Sequence, residues 1–463
     1  MSKRTTVPAV RSLVAAGLAA MAAHGAETPG TTEAERLLQA RQSEFEQTVI
    51  RVADGVHTAV GFGVSPSSMI VGETGIVIVD TQIDAPAARG ALGAFREITD
   101  LPVAAIVLTH GHIDHTGGLA VFAGDGAPEI WAGADFGHEN RWASEAGLTA
   151  NRLRGARQAG FLLPPGQRIN NGVARAYRPE RVGPASAPGA APTHFLTDAR
   201  HTLDVAGIRL DLVAAPGETS DQLYVWYPER EVLFAGDNFY KSWPNLYAIR
   251  GTAYRDVRAW AGSLDAMLAE NPAHLVGGHT RPVLGREAVT EVLTNYRDGV
   301  RSIFEQTIAG MNRGLTPDQL VEVVRVPPHL AELDYLRPYY GNPAWAVRSI
   351  FTGYLGWFDG NPTSLFPLAP AEEAARVAEL AGGVDVLRER AAGALADDPQ
   401  WTAELCDRLL AVDPNDTDAM ELKADALEAL ARPLLTATGR NYYLTAAMQL
   451  RARARGEAPR PPR

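Results

Sequence analysis

Residues 107–118 read VLTHGHIDHTGG and place His110, His112, Asp114 and His115 within six positions, directly after an apolar run. Imidazole and carboxylate are the ligand types that Zn2+ takes, about four per ion. A buried strand ending at 108 fixes where the loop starts, and Gly117 and Gly118 let the chain turn sharply into a helix. The spacing directs His110 and His112 to one centre and Asp114 with His115 to a second. Three more ligands follow, each just past an apolar stretch: Glu218 in APGETSDQL, Asp237 in VLFAGDN and His279 in LVGGHTRP. A lone histidine after a strand is usually a surface residue, so it is the set that carries the reading. Seven ligands at strand ends suffice for a two-metal site, which can clamp an oxyanion and draw a nucleophile from water at neutral pH.

Those strand ends need a scaffold. Residues 49–80 alternate as strands, VIRVADGVHTAVGF and then SSMIVGETGIVIVDT, with Gly72 and Gly75 bracketing a tight turn that predicts a hairpin. Residues 85–98 read as a helix and PVAAIVLTH (102–110) as a buried strand. Strands resume at 201–214 and 222–227, in EVLFAGD up to Asp237, and in AHLVGGH (273–279). Strand, helix, strand with long crossovers is the pattern of an α/β domain. The segment 150–195 is rich in Pro, Gly and Ala without a period, which predicts a long ordered loop or flap. From about 285 the apolar spacing is helical. Thr316 caps one helix with Pro317 at its first position, and short amphipathic helices after 371 form a repeat-like array ahead of a frayed basic tail, RARARGEAPRPPR.

A chain of 463 residues is too long for one core and predicts two or three domains. Its 43 basic and 54 acidic residues give a formal charge of −11, which repels phosphates and excludes general nucleic-acid binding. Lys3, Arg4 and Arg11, a short apolar run at 13–23 and small residues at 23–26 read as a signal peptide over 1–26, hence a periplasmic or secreted protein. That run is too short for a stable span, and no later segment reaches 18 uninterrupted apolar residues, so no stable membrane insertion is expected. Cys406 is the only cysteine, which excludes an intrachain disulfide or a thiolate zinc cluster and assigns it to helix packing.

The H-x-H-x-D-H motif and the later ligands resemble the metallo-β-lactamase superfamily over roughly 45–285, which implies an α/β class fold, the αβ/βα sandwich. Two features narrow the branch. PGET, with Glu218, replaces the usual PGH-T, and NLYAIRGTAYRDVRAW (245–260) with LRPYYGNPAWAVRSIFTGYLGWFDGNPTSL (336–365) looks like the alkylsulfatase family. The long YLGWFDGNP stretch weighs more than the metal motif and extends the resemblance to about residue 430.

That resemblance implies a catalytic domain at 27–290, an all-α helical dimerisation domain at 291–463, and a homodimer formed through 291–365. It implies two Zn2+ per chain and hydrolysis of a small anionic alkyl sulfate ester to an alcohol and sulfate. Metal hydrolysis of another ester or amide, such as a β-lactam, lactone or phosphoester, is the alternative. His110, His112 and His279 match one set of metal positions, and Asp114, His115 and Glu218 match others. Asp237 stands where relatives usually carry glutamate followed by Asn. Arg250 is the expected sulfate contact because a guanidinium fork matches an oxyanion, with Asn238 and Tyr340 as further substrate contacts. Asp114 is given a catalytic role besides its ligand role. The family's histidines after the Glu-Asn pair are replaced in DNFYKSWPNLY (237–247), which leaves Lys241 as the expected general acid. The lipid-carrier-like domain of the family is not expected, because the helices at 371–463 leave no room for it.

Overall fold

The structure, a computed structural model, describes residues 31–177 and 190–457. The expected signal peptide lies outside the described residues. The first sheet is built in the order β1 (Thr48–Ala53), β2 (Val56–Val60), β3 (Ser67–Val71), β4 (Ile76–Val79), β5 (Val103–Val107), β6 (Glu129–Gly133) and β7 (His194–Leu196). Its first four strands pair antiparallel, and the β3–β4 hairpin sets Val71 opposite Ile76 around the expected turn. From β4 onward the pairing is parallel. Parallel strands are covered on both faces, which explains why IVIV in β4 is buried at every position.

The second sheet contains β8 (Arg200–Val205), β9 (Ile208–Ala214), β10 (Leu223–Tyr227), β11 (Val232–Phe234), β12 (His274–Val276) and β13 (Val283–Leu284), in spatial order β13-β12-β11-β10-β9-β8. Val77, Val107, Leu210 and Val225 fill the space between the sheets. On the outer face of the first sheet, Ile78 and Ile106 pack with Ala88 and Phe95 of helix Ala85–Arg96. On the outer face of the second, Tyr224 and Leu233 pack with Trp260 and Leu264 of helix Val257–Ala269. The expected sandwich is therefore present, with its helices outside.

The division expected at 290/291 falls inside a single helix, Arg286–Asn312. Its Leu293, Tyr296 and Ile303 share one core with the second sheet and with Ile350 of helix Pro343–Leu355, so hydrophobic burial runs through the boundary. Helices Pro370–Ala381, Val384–Ala394, Pro399–Val412 and Thr417–Ala431 follow as the expected array. Cys406 lies in its core beside Leu387, Leu409 and Ala419.

Two segments differ from expectation. The 150–195 segment opens with helix Ala150–Gln158, preceded by helix His138–Glu145. Few apolar residues mark these helices in the sequence, because their partners are polar: Arg157 donates to Gln449 at 2.9 Å, and Asn441 to the Gln158 carbonyl at 3.3 Å. Of the expected frayed tail, 458–463 lies outside the described residues, and 451–454 is helical, as the end of helix Ala437–Ala454. There Arg451 pairs with Asp425 at 2.6 Å and also with Glu428. The same helix reaches the start of the chain, where Arg440 pairs with Glu35 of helix Glu33–Ala40 at 2.8 Å across 405 residues.

Candidate metal centre

All seven expected ligands leave strand ends at one edge of the sandwich. The loop after β5 carries His110, His112, Asp114 and His115. The loop after β9 carries Glu218, the turn after β11 carries Asp237, and the loop after β12 carries His279. Asp80, directly after β4, braces this edge. It accepts the Thr109 amide at 2.8 Å from a left-handed backbone (φ 58°), a conformation that aspartate tolerates better than most residues.

Six of the seven gather into two adjoining groups, His110–His112–Asp237 and Asp114–His115–His279, with ligand atoms in each within 4.8 Å of one another. Asp237 joins them: Oδ2 lies 3.9 Å from His110 Nε2 and 3.4 Å from His279 Nε2, and Oδ1 lies 3.2 Å from His115 Nε2. The inward nitrogens are selected by partners on the far side of each ring. His115 Nδ1 is 2.7 Å from Asp80, and His279 Nδ1 is 3.1 Å from the Val64 carbonyl. Each partner is an acceptor, so in the neutral ring Nδ1 holds the proton and Nε2 is the nitrogen left for a metal.

Burial without compensation would disfavour every charge here. It holds His110 well below the ordinary histidine range, helped by His115 and His112. For His115 burial acts in the same direction, yet Asp237, Asp80 and Asp114 together lift it well above that range. His279 is raised against its burial, chiefly by Asp237. Asp237 is held well below the carboxylate range despite burial, by His279 and His115.

These residues fit a divalent metal. His115 Nε2 and Asp237 Oδ1 are buried 3.2 Å apart, and neither is satisfied by a hydrogen bond. Such an unsatisfied donor set is costly unless a cation meets it.

Comparison with known proteins gives the centre its context. The metallo-beta-lactamase superfamily model matches residues 60–279, and the alkyl sulfatase dimerisation model matches 316–453. A linear primary-alkylsulfatase from a Pseudomonas species is 37% identical over 401 residues, which are 84% of this chain and 74% of that protein. An alkyl/aryl-sulfatase of Saccharomyces cerevisiae is 30% identical, over 92% of this chain and 67% of its own. A solved stereoselective inverting sec-alkylsulfatase from Pseudomonas superposes with a TM-score of 0.81 at 30% identity, covering 90% of this chain and 67% of that one. The chain belongs to the alkylsulfatase family. It is a hydrolase of the metallo-β-lactamase fold, which binds divalent metal.

Around the two candidate metal groups, the other expected site residues are distributed unevenly. Glu218 is buried beside the first group, with Oε1 3.9 Å from His112 Nδ1, but the same oxygen pairs with Arg255 at 2.6 Å. That pairing keeps it outside the two groups. Burial raises the Glu218 carboxyl against the opposing pull of Arg255. Arg250 reaches the rim, with Nη2 3.2 Å from His112 Nε2 and Nη1 2.7 Å from Glu139. Tyr340 packs edge-on against Tyr240 with ring centres 5.8 Å apart, and its phenol is pushed up by burial and then by Glu218 and Asp114.

Two expectations are corrected. Asn238 was expected to touch substrate, but it is fully buried and both ends of its amide are engaged, donating to the Ala215 carbonyl at 2.7 Å and accepting the Glu218 amide at 3.2 Å. It braces the Glu218 loop. Lys241 was expected as the general acid, but its ammonium sits 3.1 Å from both carboxylate oxygens of Glu44, which also accepts the Arg281 amide at 3.0 Å. A cation paired with a carboxylate in this way ties the turn Arg41–Phe45 to the back of the site.

Asp80, Glu139 and Arg255 were missed by the sequence reading. Asp80 had a visible signal, a carboxylate ending the run IVIVD, and Arg255 lies in the quoted YRD stretch. Glu139 had none, because its helix comes from the segment between β6 and β7.

Proposed function

We propose that the protein hydrolyses sulfate esters of small alkyl alcohols, R–O–SO3− plus water giving the alcohol and hydrogen sulfate, at a centre of two Zn2+ ions. The family relationship supports this, and one local observation carries it: Arg250 stands at the rim, 25% exposed, beside the ligand His112. A fixed guanidinium next to a cationic metal centre suits a sulfate group, which needs charge on several oxygens at once. Two zinc ions bound there supply Lewis acidity and lower the pKa of water.

The chain's own residues do the rest. His110, His112 and Asp237 would hold one ion; Asp114, His115 and His279 would hold the other, with Asp237 between. Asp114 is 23% exposed, so its carboxylate is within reach of solvent and can orient the attacking water. Tyr340 and the surrounding buried aromatics exclude bulk solvent.

The protein acts as a homodimer. Tyr354, Leu355, Trp357, Leu365, Phe366 and Leu368 are exposed on one stretch, Trp357 at 71% and Phe366 at 94%. Large apolar side chains left exposed so close together in the chain suit an interface, and they lie in the region matched by the dimerisation model. The basic, apolar and small-residue order of 1–26 supports export to the periplasm or beyond.

The test is a substrate panel on purified protein with its metal content measured. Turnover of alkyl sulfates, with little on nitrocefin or nitrophenyl carboxylate esters, is expected. Preferential cleavage of the β-lactam or carboxylate ester would overturn the assignment.

A further inference from the structure

We infer that Glu139 is a positioning residue of the metal centre, holding His112 in the tautomer that turns Nδ1 inward to a metal and Nε2–H outward to its own carboxylate. The inference rests on the two-metal reading above and adds a residue to it.

The position of Glu139 is fixed from both sides. Its helix, His138–Glu145, starts at Gly137, whose amide donates to Asp221 Oδ2 at 2.8 Å. Asn140, the next residue, donates to the carbonyl of Gly111 at 3.0 Å, within the His-Gly-His loop itself. A Cβ on Gly111 would come within 2.7 Å of the Gly137 backbone, so the close approach of helix and loop requires glycine there. Glu139 is thus carried to His112 by a segment that grips the metal loop.

The two nitrogens of His112 face different worlds. Nδ1 is 2.9 Å from His110 Nε2 and 3.9 Å from Glu218, on the ligand side. Nε2 is 3.4 Å from Glu139 Oε1 and 3.2 Å from Arg250 Nη2. A neutral imidazole that gives its Nδ1 lone pair to a cation carries its proton on Nε2, and that proton needs an acceptor. Arg250 Nη2 donates to Nε2 while that nitrogen is unprotonated; once Nδ1 serves a cation and the proton sits on Nε2, Arg250 cannot accept it and Glu139 is the acceptor in reach. Arg250 Nη1 in turn anchors the Glu139 carboxylate at 2.7 Å, with Arg255 Nη2 3.9 Å from its other oxygen. The other group uses the same device, a carboxylate behind a histidine, in Asp80 and His115 at 2.7 Å. Each metal group thereby owns one carboxylate-backed histidine.

The experiment is a zinc titration of the parent, Glu139→Ala, Glu139→Gln and Arg250→Ala against a chromophoric chelator. Glu139→Ala is expected to bind one of its two zinc ions about 10–100-fold more weakly. Glu139→Gln, whose carbonyl oxygen can accept the proton, should recover most of that loss, and Arg250→Ala, which removes only the anchor of Glu139, should weaken that ion by less than Glu139→Ala does. Two zinc ions at parental affinity in Glu139→Ala would overturn the inference while leaving the metal centre standing. A parent that binds no zinc would overturn the two-metal reading, and this inference with it. If Glu139→Ala does not fold, 15N spectra of the zinc-loaded parent decide: a proton on His112 Nε2 supports the assignment, and a proton on Nδ1 overturns it.

Discussion

Asp80 Oδ2 lies 2.7 Å from His115 Nδ1 and accepts the Thr109 hydroxyl at 2.9 Å, so one carboxylate sets both the ring and the strand end that carries it. Asn at this position tolerates the same left-handed backbone but can turn its amide N–H toward the ring. The proton would then move to Nε2 and block the ligand lone pair. Asp80→Asn is expected to weaken one zinc site about 10–100-fold with the fold intact. Unchanged affinity in a metal titration would remove Asp80 from that role.

His112→Ala should lose metal and sulfatase activity in parallel. Elemental analysis beside turnover measures both. Full activity in metal-depleted protein would contradict a metal mechanism.

Metal binding should release protons. His115 and His279 are raised in the metal-free fold, so near neutral pH they hold protons that ordinary imidazoles, with pKa about 6.5, are losing. A metal must displace those protons, and affinity therefore rises with pH through that range and falls as pH drops. Calorimetry in buffers of different ionisation enthalpy should give buffer-dependent heats. Heats independent of the buffer would count against protonated ligands.

Lys241→Ala should reduce turnover of an alkyl sulfate and of a nitrophenyl sulfate by similar, small factors, because the ammonium belongs to Glu44. A general acid would matter far more for the poorer leaving group, by roughly 10²–10⁴-fold. Such a selective loss on the alkyl ester would restore Lys241 as the acid.

Trp357→Glu combined with Phe366→Glu should convert a dimer to a monomer, because both side chains lie open on the apolar stretch. Light scattering reads the result. A parent already monomeric would refute the dimer.

The sandwich was legible, and so was the set of residues that gathers at its edge, because each of them follows an apolar strand, a pattern that local sequence carries. The helices His138–Glu145 and Ala150–Gln158 were not, since their stability comes from polar contacts with Gly111, Gln449 and Asn441, far away in the chain. Lys241 and Asn238 were misread for a related reason. A residue type near the ligands implies chemistry, but its role depended on Glu44 and on Ala215, whose positions only the fold supplies. The boundary at 290/291 failed because helix periodicity says nothing about which core a helix joins.

The pairing of Glu35 with Arg440 also orders events in time. At about 5–20 residues per second, a ribosome takes roughly 20–80 s to make the 405 residues between them. Throughout that interval the helix Glu33–Ala40 lacks its partner, and the neighbouring turn that carries Arg41 and Glu44 is left without that anchor behind the ligand loops. The turn itself has earlier partners in Gly172, Lys241 and Arg281, so what waits for the last helix is the seating of Glu33–Ala40 against it. A chain cut short of residue 432 should be clipped by protease within 33–40 while its sheets stay protected, and equal protection there would show that the early helix settles unaided.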